Sequence, residues 1–295
     1  MPQTRVTLPD NGGCSLEVFF MEVLRFFEYA FVLRALIAGS FIALLCANLG
    51  VLLVLRRLSL LGDGLAHVTF GSVALGLLLK VQPIYISVPV VALSSLAILK
   101  LTERARVYSD AAIGIVSAFG VSGGVMLAGL AAGFNVDLFS YLFGNILSIT
   151  RGEMVMSIVL SLIVLSVIAF RYSELLSLSF DEEFARTSGI NAGRINALLA
   201  VLAAVTVVLA MKLVGIMLTS ALLIVPAVSA FQIAKSFRGT LFFAAFTAVI
   251  SVWVGIFLSF LMNVPTGATI VLLNLAFFLV LYTFKALSAF LSPRR

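Results

Sequence analysis

Hydrophobic residues in this chain fall in long unbroken blocks. They show neither the alternation of a half-buried strand nor the narrow stripe of a soluble amphipathic helix. Charge clusters and prolines divide the blocks into nine segments, at about residues 31–55, 58–79, 83–101, 111–133, 153–172, 195–211, 213–233, 240–262 and 267–286. Most hold roughly 20 residues, the length a helix needs to cross the hydrocarbon core of a bilayer. The pattern predicts an all-α, polytopic transmembrane helical bundle of about eight to nine spans. A shorter apolar stretch, 134–150, is read as an interfacial or partly re-entrant helix. Residues 1–30 are expected to form an N-terminal tail and 31–290 a single transmembrane domain.

Composition supports a lipid environment. Hydrophobic residues make up 62% of the 295 and charged residues 11%, with a mean hydropathy of +1.20. Soluble domains carry about 25% charged residues. Nine spans and their loops leave no length for an additional soluble domain, so any energy-coupling domain is expected on another polypeptide. Met1 to Phe20 is polar and lacks the apolar core of a signal peptide. Met21 opens a more natural start, so residues 1–20 are expected to be an upstream extension without a transport role. Cys14 in the tail and Cys46 within a span do not make a disulfide framework.

The net charge of +6 lies in alternate connections. Arg56-Arg57, then Arg104 and Arg106, then Arg171, Arg186 and Arg194, then Lys235 and Arg238, and finally Lys285, Arg294 and Arg295 mark one side. The other connections hold only Lys80, Arg151 and Lys212. The positive-inside rule puts the rich set in the cytoplasm, the C-terminus inside and, with nine spans, the N-terminus outside. No basic run with interleaved aromatics points to nucleic acid. Small residues are frequent within the spans: Gly114, Ala118, Ser122 and Met126 form one ridge, with Gly120, Gly123, Gly124, Ala128 and Gly129 close by. Close helix packing in lipid accounts for them.

Asp63 and His67 are the first candidates for chemistry. Ionisable residues inside spans are costly and tend to be functional. Positions i and i+4 share a helix face, so carboxylate and imidazole point the same way. Zn²⁺ accepts both donors, although a tight site usually has four. A homodimer with the pair near its two-fold axis supplies two of each. Three other readings fit the pair alone: a polar contact within the bundle, an Asp63 at the water interface, and a proton relay.

A second segment runs from Ser179 to Gly189. Ser179 and Glu182 fit a capping box. Asp181, Glu182 and Glu183 suit a helix N-terminus, and Gly189 suits a C-cap. A short cytoplasmic helix at about 179–190 is expected, with Phe180, Phe184 and Ala185 presenting an apolar side to a cytoplasmic partner. A third segment, Met211 to Ala227, reads as a kinked span in which Pro226 frees a carbonyl and Thr219 and Ser220 are candidates for lining a path. The chain has no G-x-x-x-x-G-K-[ST] phosphate loop, no H-E-x-x-H and no G-x-S-x-G.

At these segments the chain resembles the ABC-3 family, the zinc/manganese/iron permeases of ATP-driven importers, over about residues 21–286. Leu58-Ser59-Leu60-Leu61-Gly62-Asp63-Gly64-Leu65-Ala66-His67 resembles the family's S-L-x-G-D-x-L-x-H signature. Val136-Asp137-Leu138 through Tyr141-Leu142-Phe143-Gly144 to Leu147 resembles V-D-L-x-x-Y-L-F-G-x-x-L, and Lys212-Leu213-Val214-Gly215 through Leu222-Leu223-Ile224-Val225-Pro226-Ala227 resembles K-x-V-G…L-L-I-x-P-A. The resemblance implies a homodimeric permease with two cytoplasmic ATP-binding cassette subunits, fed by an extracytoplasmic metal-binding protein. It implies that Asp63 and His67 face the translocation path and that Asp181 to Gly189 form the coupling helix. No cofactor is expected to stay bound. The cargo is a divalent metal ion, zinc first, then manganese or iron. Thr69-Phe70-Gly71 stands where many members have Leu-Pro-Gly, which tilts the reading mildly toward the zinc-specific branch.

Two other classes make different demands on these residues. A proton-coupled secondary metal carrier would use Asp63 and His67 as its relay and show inverted repeats, and none is visible. An intramembrane enzyme would need a nucleophile such as Ser72 beside His67.

Overall fold

A computed structural model describes residues 29–105, 107–130, 141–144 and 149–291. Eleven α-helices account for most of these residues: α1 Ala30–Leu55, α2 Ser59–Leu78, α3 Pro83–Arg104, α4 Ser109–Leu130, α5 Arg151–Phe170, α6 Tyr172–Phe180, α7 Glu182–Thr187, α8 Ala192–Val214, α9 Thr219–Ile233, α10 Phe237–Met262 and α11 Thr266–Leu291. A 3₁₀ turn, Ile216–Leu218, joins α8 to α9. No strand occurs among the described residues. Nine helices there are long and apolar enough to cross a membrane, as the hydrophobic pattern predicts; α9 reaches that length together with its 3₁₀ turn. The expected tail and most of the 134–150 stretch lie outside the described residues; within the latter, Tyr141–Phe143 is helical.

Local chemistry sets many of the ends. Pro83 opens α3, where its missing N–H costs nothing. Thr150 and Glu153 form a capping box at the start of α5. Asn191 and Ser236 cap α8 and α10 by accepting from Arg194 N and Gly239 N. Asn263 ends α10 in the left-handed region, and Ser259 Oγ meets Thr266 Oγ1 at 2.8 Å to fasten the α10–α11 corner.

Helices α1 and α8 are the most enclosed spans, and α11 is the least. Glycines let backbones touch. A Cβ on Gly50 would lie 1.9 Å from Leu223 O, so α1 and α9 meet directly. A Cβ on Gly71 would lie 2.5 Å from Gly120 O, and one on Gly120 would lie 2.6 Å from Val68 Cα, so α2 and α4 also meet backbone to backbone. Such closeness maximises dispersion where lipid tails compete for every apolar contact. The expectation that all the small residues of this span serve internal packing holds for Gly120, Gly124 and Ala128, which are buried. Gly114, Ala118, Ser122 and Met126 face outward, because that ridge lies on the side of α4 away from α2.

Two tight corners mark opposite ends of the bundle. At the α1–α2 corner Arg57 has φ 56°, and Leu58 N donates to Leu53 O at 2.8 Å. At the other end Gly215 (φ 88°) breaks the chain between α8 and α9. This break falls a few residues later than the one predicted at Lys212, because the helix continues through that charge until a residue able to adopt positive φ. A Cβ on Gly215 would lie 2.4 Å from both Gly144 N and Leu142 O, and one on Gly267 would lie 2.2 Å from Val214 O. Three chain segments therefore close against one another there with no side chain between them.

Candidate functional site

Asp63 and His67 occupy successive turns of α2. At 1.5 Å per residue, Asp63 lies about 6 Å and His67 about 12 Å along the helix from Ser59. The opposite side of α2 is buried, with Leu65, Thr69 and Ser72 enclosed, and the flank beside it is fixed by Gly64 against Ile113 and by Val68 and Gly71 against Gly120. That seam turns the Asp63–His67 face outward. Their side chains are 52% and 34% exposed, and His67 Nε2 stands 3.7 Å from Asp63 Oδ2. The two groups are too far apart for a direct hydrogen bond. The Asp63 oxygens and the His67 imidazole are both left accessible to a third party. Among the described residues no group of three or more His, Cys, Asp or Glu side chains converges, so one chain offers a metal two ligands here.

Ser72 does not serve as a nucleophile beside this histidine. Its hydroxyl is buried and engaged with Thr69 O at 2.8 Å and Ser87 Oγ at 2.7 Å, where it ties α2 to α3.

The Ser179–Gly189 segment folds as two helices, not one. Ser179 belongs to the end of α6, where its hydroxyl donates back to Leu175 O at 2.7 Å. The expected Ser179–Glu182 capping box is therefore absent. Asp181 is the N-cap of α7 and accepts from Phe184 N at 3.0 Å. An aspartate two residues nearer the helix outcompetes the serine, whose hydroxyl is already committed. Gly189 (φ 84°) closes α7 as expected: Gly189 N donates to Arg186 O and Ile190 N to Ala185 O.

Ala185 is fully buried and so does not belong to the outward apolar side. Phe180 and Phe184 are exposed. Phe180, on α6, also meets the Phe237 ring edge-on. Glu183 is exposed at the first turn of α7, whereas Glu182 is half-buried between Arg56 and Arg186.

Of the third segment, Thr219 is fully buried with its hydroxyl donating to Gly215 O at 2.7 Å. Pro226 is buried inside α9. Both face packed protein in this conformation. Ser220 is half-buried.

In the sequence Arg56 stands out as a marker of sidedness and not as a site residue. In the structure its side chain is 10% exposed and donates to Glu182 Oε2 at 3.0 Å and to Asn196 Oδ1. Arg186 holds the other oxygen of Glu182 at 2.7 Å. Burial pulls the Arg56 guanidinium below its ordinary pKa, and Glu182 opposes that shift. The available signal was opposite charge on two segments predicted to share the cytoplasmic side.

Comparison with known proteins agrees with this architecture. The chain is 34% identical over 252 residues to the high-affinity zinc uptake system membrane protein ZnuB of Haemophilus influenzae, covering 85% of this chain and 96% of that protein. It is 32% identical over 281 residues to the manganese transport system membrane protein MntC of Halalkalibacterium halodurans, covering 95% and 93%. Its fold matches PsaBC from Streptococcus pneumoniae, solved in complex with Fab, with a TM-score of 0.81 and 30% identity over 90% of this chain and 95% of that one. The profile of the ABC 3 transport family matches residues 28–285. With nine apolar helices and a match along nearly the whole chain, this multi-pass protein of the cell membrane belongs to the ABC 3 transport family.

Proposed function

We propose that this chain is the membrane-spanning permease subunit of an ATP-driven importer of divalent metal ions, with Zn²⁺ as the favoured cargo. One observation carries the reading: a carboxylate and an imidazole stand side by side on an otherwise apolar helix, and both are open to the outside of a single chain. A carboxylate left against lipid is costly, so another surface covers it. A second copy fits best, because two chains supply two Asp63 and two His67, the four donors Zn²⁺ takes. Manganese and zinc relatives support metal as the cargo class. An Asp/His set favours zinc without excluding Mn²⁺ or Fe²⁺.

The chain binds no nucleotide by a phosphate loop, so hydrolysis belongs to cytoplasmic ATP-binding cassette subunits. Exposed Phe180, Phe184 and Glu183 form the docking face for them. Metal arrives from an extracytoplasmic binding protein, passes Ser220 and is held briefly between the two α2 helices. It leaves toward the cytoplasm when the ATPase subunits move α7. The test is metal uptake by the reconstituted complex. Asp63→Ala and His67→Ala are each expected to lower Zn²⁺ uptake at least tenfold with the subunits still assembled. Full uptake by both variants would remove the site. Transport by the isolated chain under a proton gradient would favour a secondary carrier instead.

A further inference from the structure

The proposed docking helix, α7, has six residues and little of its own to fix its position. Two features hold it. Ala185 is buried, and Glu182 is gripped from both sides, by Arg186 within α7 and by Arg56 at the α1–α2 corner. Arg56 also reaches Asn196 in the first turns of α8. One nearly buried guanidinium thus joins three elements that lie 126 and 140 residues apart in sequence.

The corner it sits on is itself rigid. Arg56 N donates to Leu52 O, Arg57 N to Val54 O and Leu58 N to Leu53 O, and α2 begins at Ser59. From Arg56 to Asp63 the chain is a closed turn followed directly by helix, with no slack segment between them. The Arg56–Glu182 ion pair therefore links α7 to the base of α2 directly, beside the longer route through α8.

We infer that Arg56 is a positioning residue that straps the Glu182 carboxylate of α7 to the α1–α2 corner, so that movement of α7 is delivered to the helix carrying Asp63 and His67. The inference rests on the function proposed above. Guanidinium suits the task because its fixed fork engages Glu182 and Asn196 together, and its charge persists under partial burial.

The test uses the full complex with its ATPase subunits in liposomes, reading Zn²⁺ and Mn²⁺ uptake and ATP hydrolysis on the same sample. Arg56→Gln is expected to keep basal hydrolysis within about twofold and to lower metal moved per ATP at least tenfold. Arg56→Lys, which keeps the charge but loses the fork, falls between. Glu182→Gln lowers the same ratio, and the double variant loses no more than the worse single variant, because both break one link. An unchanged ratio in Arg56→Gln overturns the inference, as does a double variant whose loss is the product of the single losses. A wild-type complex that moves neither metal would instead sink the functional reading and leave the strap unaddressed by that failure alone, so the position of α7 is read as well. Spin labels at Glu183→Cys and Leu60→Cys, with Cys14 and Cys46 replaced, should show one narrow distance that broadens in Arg56→Gln. An unbroadened distance overturns the strap whatever the cargo.

Discussion

At the residue scale the two partners of the Arg56–Glu182 pair are not equivalent. Arg56 is nearly enclosed, whereas Glu182 is 39% exposed and keeps Arg186 when Arg56 is removed. Removing Glu182 leaves a guanidinium out of water with Asn196 alone. Loss of a partner costs most where the survivor is buried. Glu182→Gln is therefore expected to destabilise the folded chain by about 1–2 kcal/mol. Arg56→Gln is expected to cost less than half of that, and thermal unfolding in detergent compares the two. The Asp63–His67 pair was legible in the sequence because a separation of four on a helix is a local relation. The Arg56 cluster was not, since nothing in a linear chain says which cytoplasmic segments meet. The outward aim of Asp63 was likewise decided by tertiary packing, which buries Leu65, Thr69 and Ser72 on the far side of α2 and sets Gly64 and Gly71 against α4 on its flank.

The nine spans were legible at the scale of elements because uninterrupted apolar length is a strong signal, and their edges moved by only a few residues. Competition between nearby polar groups was harder to read. Ser179 and Asp181 both offered to cap α7, and the winner depended on an extra helix, α6, whose existence the pattern did not announce. Asp181→Ala is expected to weaken α7 by about 1 kcal/mol. Faster hydrogen exchange at the Phe184 amide would record that weakening, and Ser179→Ala should leave it unchanged. The glycine contacts give a second test. Gly120→Val must push α4 off α2, since its Cβ already falls 2.6 Å from Val68 Cα. A cost of about 2 kcal/mol or more is expected, read as a lower melting temperature, whereas Gly123→Ala points into open space and should be tolerated.

For the whole molecule, the outward ridge of α4 and the half-open Asp63–His67 face mean that a single chain is not a finished surface. In a background with Cys14 and Cys46 replaced, His67→Cys is expected to form a disulfide between copies in native membranes. The product would migrate at about twice the 31.5 kDa of one chain. Persistent monomer under oxidation would count against a shared site. The sequence suggested pairing through the two-ligand count and through the family it resembles; the chain's own geometry adds the open face that pairing would cover.

The meeting of Gly144, Gly215 and Gly267 sets how fast that end of the molecule can respond. A barrier built from side chains opens by rotamer flips, within nanoseconds. Here main chain rests on main chain, so there is no rotamer to flip. The contact yields only when whole helices part, a microsecond-to-millisecond event. Between such events the three segments at the end opposite the Arg56 corner stay locked against one another, so their relative movement is limited by collective motion and not by side-chain rotation.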